Sequence, residues 1–127
     1  GLNNRVLQIN PNTQEVVQVW SAANNQPGSG PKEFNLPHSI DIDDLNRVWV
    51  GDALNNRVQI ISTDGTFIQE LKCFGLDGVY GVCLRKNPIS NIRHLYVSTS
   101  PTSSPTGGTV KVFEVANDGL PVSSGCL

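Results

Sequence analysis

Hydrophobic and polar residues alternate over short stretches along the whole chain. The alternation is regular at residues 39–43, at Arg47–Asp52 and at Arg57–Ser62. Alternation over five to eight residues is typical of a half-buried β-strand, and no longer window shows the spacing of an amphipathic helix. Similar runs lie at residues 5–9, 15–20, 67–71, 79–84, 95–98 and 110–115. The pattern therefore predicts an all-β chain.

The chain also repeats itself. Asn3-Asn4-Arg5-Val6 recurs 52 residues later as Asn55-Asn56-Arg57-Val58, and Gly108-Thr109-Val110 occupies the corresponding place after a further 52 residues. Val48-Trp49-Val50-Gly51-Asp52 has a weaker counterpart at residues 95–99. A period of about 50 residues that contains four short strands is typical of a β-propeller blade.

The repeat divides the chain into about two and a half four-stranded antiparallel blades. Residues 1–27 contain the third and fourth strands of one blade, residues 28–72 form a complete blade, and residues 73–127 form another. In the complete blade, strands A to D are predicted at 39–43, 47–52, 57–62 and 67–71. The last blade has strands A to C within 79–115 and a fourth strand near 121–123.

Such an arc would leave two blade faces open to water. We therefore expect these residues to form part of a larger, six-bladed propeller. The alternative is that several copies associate to close a ring.

Charge and the length of apolar runs disfavour two classes of function. The 127 residues include 9 Lys and Arg against 11 Asp and Glu, which gives a net charge of −2. This balance disfavours a nucleic-acid partner, because no basic cluster is available to neutralise phosphates. No apolar run approaches the roughly 20 residues that span a bilayer, so no membrane span is predicted.

The complete blade resembles an NHL repeat. The residues that carry the resemblance are 30–40, Val48-Trp49-Val50-Gly51-Asp52 and Asn55-Asn56-Arg57-Val58-Gln59-Ile60. They follow the family pattern G-x-F-x-x-P, then V-x-V-x-D, then N-x-R-V/I-Q. The resemblance implies structural roles for three of them. Asp52 and Asn55 are expected to bind the backbone of the turn between strands B and C. Arg57 is expected to reach across that turn to neighbouring carbonyl oxygens or to Asp52, which would tie one blade to the next.

Among NHL proteins, residues 36–39 followed by the strand that ends at Asp52 are most similar to the peptidyl-α-hydroxyglycine α-amidating lyases. That resemblance implies a zinc ion on three histidines from separate blades, and His38 matches one of them. The sequence departs from this family at Ala53, where the lyases have arginine, and at Tyr80, which corresponds to His38 one blade later. His38 is therefore either a zinc ligand or a solvent-facing side chain, and no cofactor is predicted unless the lyase alternative holds.

The chain contains three cysteines, and two of them could form a disulfide in an oxidising compartment. Cys73 follows strand D and Cys83 lies on the next strand A, with Gly75 and Gly78 between them. A Cys73–Cys83 disulfide is predicted on this basis, and two buried free thiols are the alternative. Cys126 would then pair with a segment outside this sequence or with another subunit.

A segment rich in Ser, Thr and Pro follows the strand B of the last blade, within residues 98–108. Its composition predicts an exposed extension that resembles O-glycosylated stalks, and a plain flexible loop is the alternative. The candidate glycosylation sites are Thr99, Ser100, Pro101, Thr102, Ser103, Ser104, Pro105 and Thr106.

Together these features favour a secreted, non-catalytic NHL propeller module. It would bind a protein or glycan, or assemble with other blades or with copies of itself. The alternative is a zinc-dependent amidating lyase that is completed by blades outside this sequence.

Overall fold

The chain is all-β, as predicted. The computed structural model describes residues 3–103 and 106–116, and these residues form nine strands in three antiparallel sheets. The strands are β1 (Arg5–Ile9), β2 (Val16–Ser21), β3 (Pro37–Ile42), β4 (Arg47–Asp52), β5 (Arg57–Ser62), β6 (Phe67–Leu71), β7 (Asp77–Lys86), β8 (Arg93–Pro101) and β9 (Thr109–Val115). Short 3-10 turns occupy Ala23–Asn25 and Ala53–Asn55.

The central sheet has the order of a propeller blade. Its strands β3, β4, β5 and β6 pair in sequence order, and the last three have the bounds that the alternation predicts. β3 begins and ends earlier than predicted. Asp43 leaves the strand because its carboxylate closes the turn, accepting hydrogen bonds from the backbone N–H groups of Leu45 and Arg47 at 2.9 Å.

The flanking sheets are parts of the same unit. β1 and β2 form a pair that corresponds to β5 and β6, while β7, β8 and β9 correspond to β3, β4 and β5. The fourth strand predicted near residues 121–123 lies outside the described residues.

Side chains on both faces of the central sheet are buried. Trp49 and Ile60 belong to a core shared with the third sheet, while Val48, Val50 and Ile61 belong to a core shared with β1 and β2. Every residue of β4 is buried for this reason. Burial of alternate side chains on opposite faces fixes the strand register, because a shift by one residue would exchange the two sets.

The connections lie at two ends of the sheets. Residues 22–36, 53–56, 72–76, 102–103 and 106–108 lie at one end, which we call the loop face. Tight connections at residues 10–15, 43–46, 63–66 and 87–92 lie at the other end, which we call the turn face. In the described part of the chain, no helix has the length and apolar character needed to cross a bilayer.

Candidate functional site

An ion pair is buried beneath the loop face of the central blade. Arg57 Nε donates to Asp52 Oδ2 at 2.8 Å, and both side chains are almost fully inaccessible to solvent. Arg57 Nη1 also donates to Glu70 Oε2 at 2.8 Å. A buried charge requires such partners, because desolvation of an unpaired ion is costly.

Arg57 also fixes the long loop before β3. Its guanidinium donates to the carbonyl oxygens of Ser29 at 2.8 Å, Gly30 at 3.0 Å and Glu33 at 2.8 Å. The neighbouring Gln59 side chain donates to the same Glu33 oxygen at 2.7 Å. Two side chains of β5 therefore hold the backbone of residues 29–33.

Asp52 and Asn55 bind this loop as well. Asp52 Oδ1 accepts from the backbone N–H of Asn35 at 2.7 Å, and Asn55 Nδ2 donates to the Gly28 carbonyl oxygen at 2.7 Å and to Asp52 Oδ2 at 2.8 Å. The sequence predicts that both side chains bind the turn between strands B and C. The structure places their backbone partners instead in the loop before β3.

The third sheet has a different pair at the equivalent positions. Asp52 pairs with Arg57 across β4 and β5, and Thr99 pairs with Thr109 across β8 and β9. The two threonine hydroxyls lie 3.0 Å apart and share a hydrogen bond. A neutral pair is sufficient here, since the connection before β7 is only residues 72–76 and offers no long loop to hold.

His38 lies on the loop face at an irregularity in β3. The register shifts between Pro37 and Ser39, and it shifts in the same way between Val79 and Gly81 around Tyr80. His38 and Tyr80 are thus equivalent residues of neighbouring blades, and their rings meet edge to face at 5.1 Å.

The imidazole of His38 is exposed and has one protein partner. Its Nδ1 lies 2.9 Å from the carbonyl oxygen of Tyr80, which can only accept, so Nδ1 carries the proton in this hydrogen bond. Among the described residues, no three His, Cys, Asp or Glu side chains are grouped so that they could hold a metal ion. Ala53, at the position where the lyases have arginine, is fully buried.

The two cysteines predicted to pair are not joined. Cys83 is a free, half-buried thiol on β7, so the Cys73–Cys83 disulfide is not formed in this structure. Cys126 lies outside the described residues.

The Ser/Thr/Pro segment begins inside the sheet. β8 extends through Pro101, and Thr99 is buried against Thr109, so the expected exposure is wrong for Thr99. Ser100 and Pro101 are half-buried, whereas Thr102, Ser103 and Thr106 are exposed. Ser104 and Pro105 lie outside the described residues. Pairing with β7 keeps Pro101 in the strand, since proline is tolerated where its missing N–H is not needed.

Acidic side chains at the turn face join the central blade to the third. Asp44 accepts from Arg93 through both carboxylate oxygens at 2.7 Å and from Lys86 Nζ at 3.2 Å. These hydrogen bonds, led by those from Arg93, hold the pKa of Asp44 well below its ordinary value. Asp41 Oδ2 accepts from the backbone N–H of Leu84 at 2.7 Å.

Asp43 has a role within its own blade. Burial raises the pKa of its carboxyl, but hydrogen bonds from Arg47 and Trp49 outweigh that effect, and the net pKa lies below the ordinary value. Arg47 Nε donates to Asp43 Oδ2 at 2.8 Å and Trp49 Nε1 donates to it at 2.9 Å.

Two leucines on the loop face are exposed, and the alternation of the strands does not predict their exposure because both lie in connections. Leu54 is 44% exposed in the connection between β4 and β5, and Leu76 is 87% exposed just before β7. The carbonyl oxygen of Leu76 accepts from Thr102 Oγ1 at 3.4 Å, which connects this leucine to the Ser/Thr/Pro segment. With His38 and Tyr80, these residues form what we call the loop-face surface.

Comparison with known proteins supports the assignment of the central sheet as a blade. Residues 34–61 match the family model of the NHL repeat. These residues include β3, β4 and most of β5, together with Asp52, Asn55 and Arg57. Residues 34–61 therefore contain an NHL repeat, and they lie in a four-stranded antiparallel sheet with the strand order of a propeller blade.

Three relatives extend this result. The chain is 32% identical to mouse NHL repeat-containing protein 3 over 133 aligned positions, which cover 95% of this chain and 36% of the relative. It is 41% identical over 64 residues to human NHL repeat-containing protein 3, covering 50% of this chain and 17% of the relative. A 43-residue stretch is 49% identical to the Caenorhabditis elegans protein lin-41, covering 34% of this chain and 4% of that protein. The chain thus spans about a third of the mouse relative and a smaller share of the others.

Proposed function

We propose that this chain is a non-catalytic, extracellular NHL module that binds a protein or glycan partner through its loop-face surface. The observation that carries the proposal is the group of side chains that meets on the loop face. The loop face combines exposed Leu54 and Leu76 with the aromatic edge of Tyr80 and His38. The exposed side chains of Thr102, Ser103 and Thr106 add hydroxyls to it. Apolar anchors surrounded by polar groups are typical of protein interfaces.

The loop beneath this surface is fixed before any partner binds. Arg57, Gln59, Asp52 and Asn55 hold the backbone of residues 28–35 through hydrogen bonds of 2.7–3.0 Å. A loop that is already ordered costs less conformational entropy on association. The anchored loop therefore supports a binding role for this end of the blades.

An extracellular partner requires that this protein be secreted, so secretion is part of the proposal and is tested first. The exposed hydroxyls of Thr102, Ser103 and Thr106 would carry O-linked sugar in a secretory pathway, and no Asn-x-Ser/Thr sequon is present for N-linked sugar. The first measurement is therefore whether the protein appears in the medium of the cells that express it.

The turn face offers a matched control for the binding experiment. Leu45 is 46% exposed and Ile89 is 93% exposed, so this pair matches Leu54 and Leu76 in exposure but lies at the opposite end. The variants L54S/L76S and L45S/I89S are compared for binding to arrayed extracellular protein domains and glycans.

We expect the wild type and L45S/I89S to bind the same partner, and L54S/L76S to lose at least about tenfold in affinity, since two well-packed apolar anchors each contribute more than 1 kcal/mol. Loss of binding in L45S/I89S alone would move the site to the turn face. Retention of full affinity in L54S/L76S would contradict the proposal.

A further inference from the structure

Two turns on the turn face are built in the same way. Residues 10–15 connect β1 to β2 and residues 87–92 connect β7 to β8, and both have the sequence Asn-Pro-x-Thr/Ser-x-x. In each turn the asparagine side chain accepts hydrogen bonds from the backbone N–H groups two and three positions later, at 2.8–3.3 Å. The fifth residue of each turn is left-handed, with φ 61° at Gln14 and 59° at Asn91. Because the same bonds close both, we call them the first and second Asn-Pro turns.

The two turns differ in the side chains that they display. The third residue is Asn12 in the first turn and Ile89 in the second. The sixth residue is Glu15 in the first turn and Ile92 in the second, and Ile89 is 93% exposed. Because polar residues occupy both positions of the first turn, the turn itself does not require an isoleucine. Since no described residue buries Ile89 either, its side chain is available for a contact outside this chain.

Cations stand on both sides of the second Asn-Pro turn. Arg85 and Lys86 precede it, Arg93 follows it, and no acidic residue lies between Arg85 and Arg93. Lys86 and Arg93 share the single carboxylate of Asp44, at 3.2 and 2.7 Å. The side chain of Arg85 is 71% exposed, and its nearest carboxylate among the described residues, that of Asp41, is 3.9 Å away. Three cations meet two carboxylates here, so this end of the hairpin is positively charged.

These charges lie at defined depths behind the turn. Lys86 and Arg93 face each other in the row of paired residues next to it, and Arg85 and His94 form the following row. The strand rise of about 3.4 Å per residue separates the two rows. On this sheet the acidic residue nearest the turn is Glu114, which pairs with His94 in the second row. The hairpin therefore ends in an apolar tip with cations directly behind it.

An anionic lipid bilayer has the complementary order of layers. Its charged headgroups lie outermost, and beneath them is the acyl boundary, where peripheral proteins bury apolar side chains to a depth of about 5–10 Å. A convex tip with one exposed isoleucine can enter such a surface, whereas a protein partner would need a matching pocket. On the neighbouring turn, Leu45 is 46% exposed, and Asp44 beside it is bound by Arg93. A second apolar side chain is therefore available next to the tip.

We propose that the second Asn-Pro turn makes a peripheral contact with an anionic lipid surface. Ile89 enters the interface between headgroups and acyl chains, and Arg85 and Lys86 contact the anionic groups of the lipids. Leu45 adds apolar contact at the edge. Such a contact is shallow and needs no spanning segment. It lies at the end of the sheets opposite the loop-face surface, so it is separate from the binding function proposed above.

The experiment is flotation of the full chain with vesicles of phosphatidylcholine alone and with vesicles that contain about 30% phosphatidylserine. I89N gives the second turn the residue that the first turn has at this position. N12I/I89N moves the isoleucine to the first turn, which has no Lys or Arg within four residues on either side, and leaves the composition unchanged. R85Q removes the exposed cation, and L54S/L76S changes the opposite end of the sheets.

We expect the wild type to bind the phosphatidylserine vesicles at least about fivefold more tightly than phosphatidylcholine alone, because each cation near an anionic surface adds to the affinity. I89N should weaken this binding about fivefold or more through loss of the apolar side chain, and R85Q about threefold through loss of a charge. N12I/I89N should bind as weakly as I89N, and L54S/L76S as tightly as the wild type. I89N should keep the thermal midpoint of the wild type, since the changed side chain is exposed.

Absence of binding to the phosphatidylserine vesicles would overturn the proposal, as would full binding by I89N or by N12I/I89N. A lowered thermal midpoint of I89N would assign the isoleucine to the fold and would also overturn it. So would an arrayed acidic protein domain that binds the wild type but not I89N in the absence of vesicle binding, because the turn would then serve a protein partner. None of these results depends on the loop face, so they fail or succeed separately from the binding experiment.

Discussion

Thr99 and Thr109 occupy in the third sheet the positions that Asp52 and Arg57 hold in the central blade. Both pairs join the second and third strands at the loop face, one through a charge-assisted bond of 2.8 Å and the other through a hydroxyl contact of 3.0 Å. The fold therefore tolerates either chemistry at this place. The charged pair accompanies the long loop 22–36, and the neutral pair accompanies the short connection 72–76.

The first prediction concerns this pair. Arg57→Leu leaves the buried carboxylate of Asp52 without its main partner and frees the loop backbone, so we expect a loss of about 3–5 kcal/mol in the free energy of unfolding. The double variant D52T/R57T, which copies the third sheet, should lose less than the sum of D52T and R57T. Urea unfolding of the wild type, D52T, R57T and D52T/R57T measures the coupling energy between the two residues. Strict additivity of the two single losses would contradict the assigned pairing.

The second prediction concerns acid stability. The pKa of Asp44 is lowered in the folded state, so the stability it contributes is present above the unfolded-state pKa of about 3.9 and is lost as pH falls through the lower folded-state value. D44N should therefore weaken the dependence of the urea midpoint on pH in the acid range. Asp77→Asn, which removes the same charge from a residue in no ion pair among those described, is the control. Equal acid profiles for wild type and D44N would contradict this assignment.

The third prediction concerns Cys83. A thiol reagent should label this residue in the folded, unreduced protein, because the thiol is free and partly exposed. C83S should abolish that label without changing the fold. If peptide mapping shows Cys83 labelled only after reduction, a disulfide forms there in solution, as the sequence alone had suggested.

The fourth prediction concerns the Ser/Thr/Pro segment. In secreted protein, O-linked sugar should fall on the exposed hydroxyls of Thr102, Ser103 and Thr106, and T102A/S103A/T106A should lower the mass heterogeneity of the intact chain. Thr99→Ala should leave the sugar unchanged but reduce stability by about 1 kcal/mol, because it removes the buried Thr99 hydroxyl and its hydrogen bond with Thr109. Sugar found on Thr99 would mean that β8 ends earlier than the structure shows.

The fifth prediction concerns His38. H38A should change the free energy of unfolding by no more than about 1 kcal/mol, since the ring is exposed and makes one hydrogen bond. Calorimetry with zinc should show no saturable site that H38A removes. A tight zinc site that depends on His38 would instead favour the lyase alternative.

Strand positions could be predicted because they depend on local alternation. β4, β5 and β6 agree with the expected bounds, and Thr109 stands where the repeat aligns it with Arg57. Arg57 binds Asp52, which the sequence predicts as one of its partners. The particular carbonyl groups that Arg57 binds could not be predicted, because they lie 24 to 28 residues away along the chain. The burial of Thr99 was missed for a related reason. By composition alone, residues 98–106 form a single polar segment. In the structure, residues 98–101 belong to β8 and pair with β7, and residues 98 and 99 also pair with β9.

The way in which loop 28–36 is held has an evolutionary consequence. Arg57 and Asn55 bind only main-chain oxygens of this loop, and Asp52 binds a main-chain N–H. The side chains of Ser29, Pro31 and Lys32 therefore take no part in these bonds to the blade. Substitutions that keep the backbone conformation, which is left-handed at Lys32 with φ 61°, would leave these bonds in place. A scaffold of this kind can acquire new recognition surfaces by substitution at a few positions while its backbone stays constant, much as grafted loops vary on an unchanged framework.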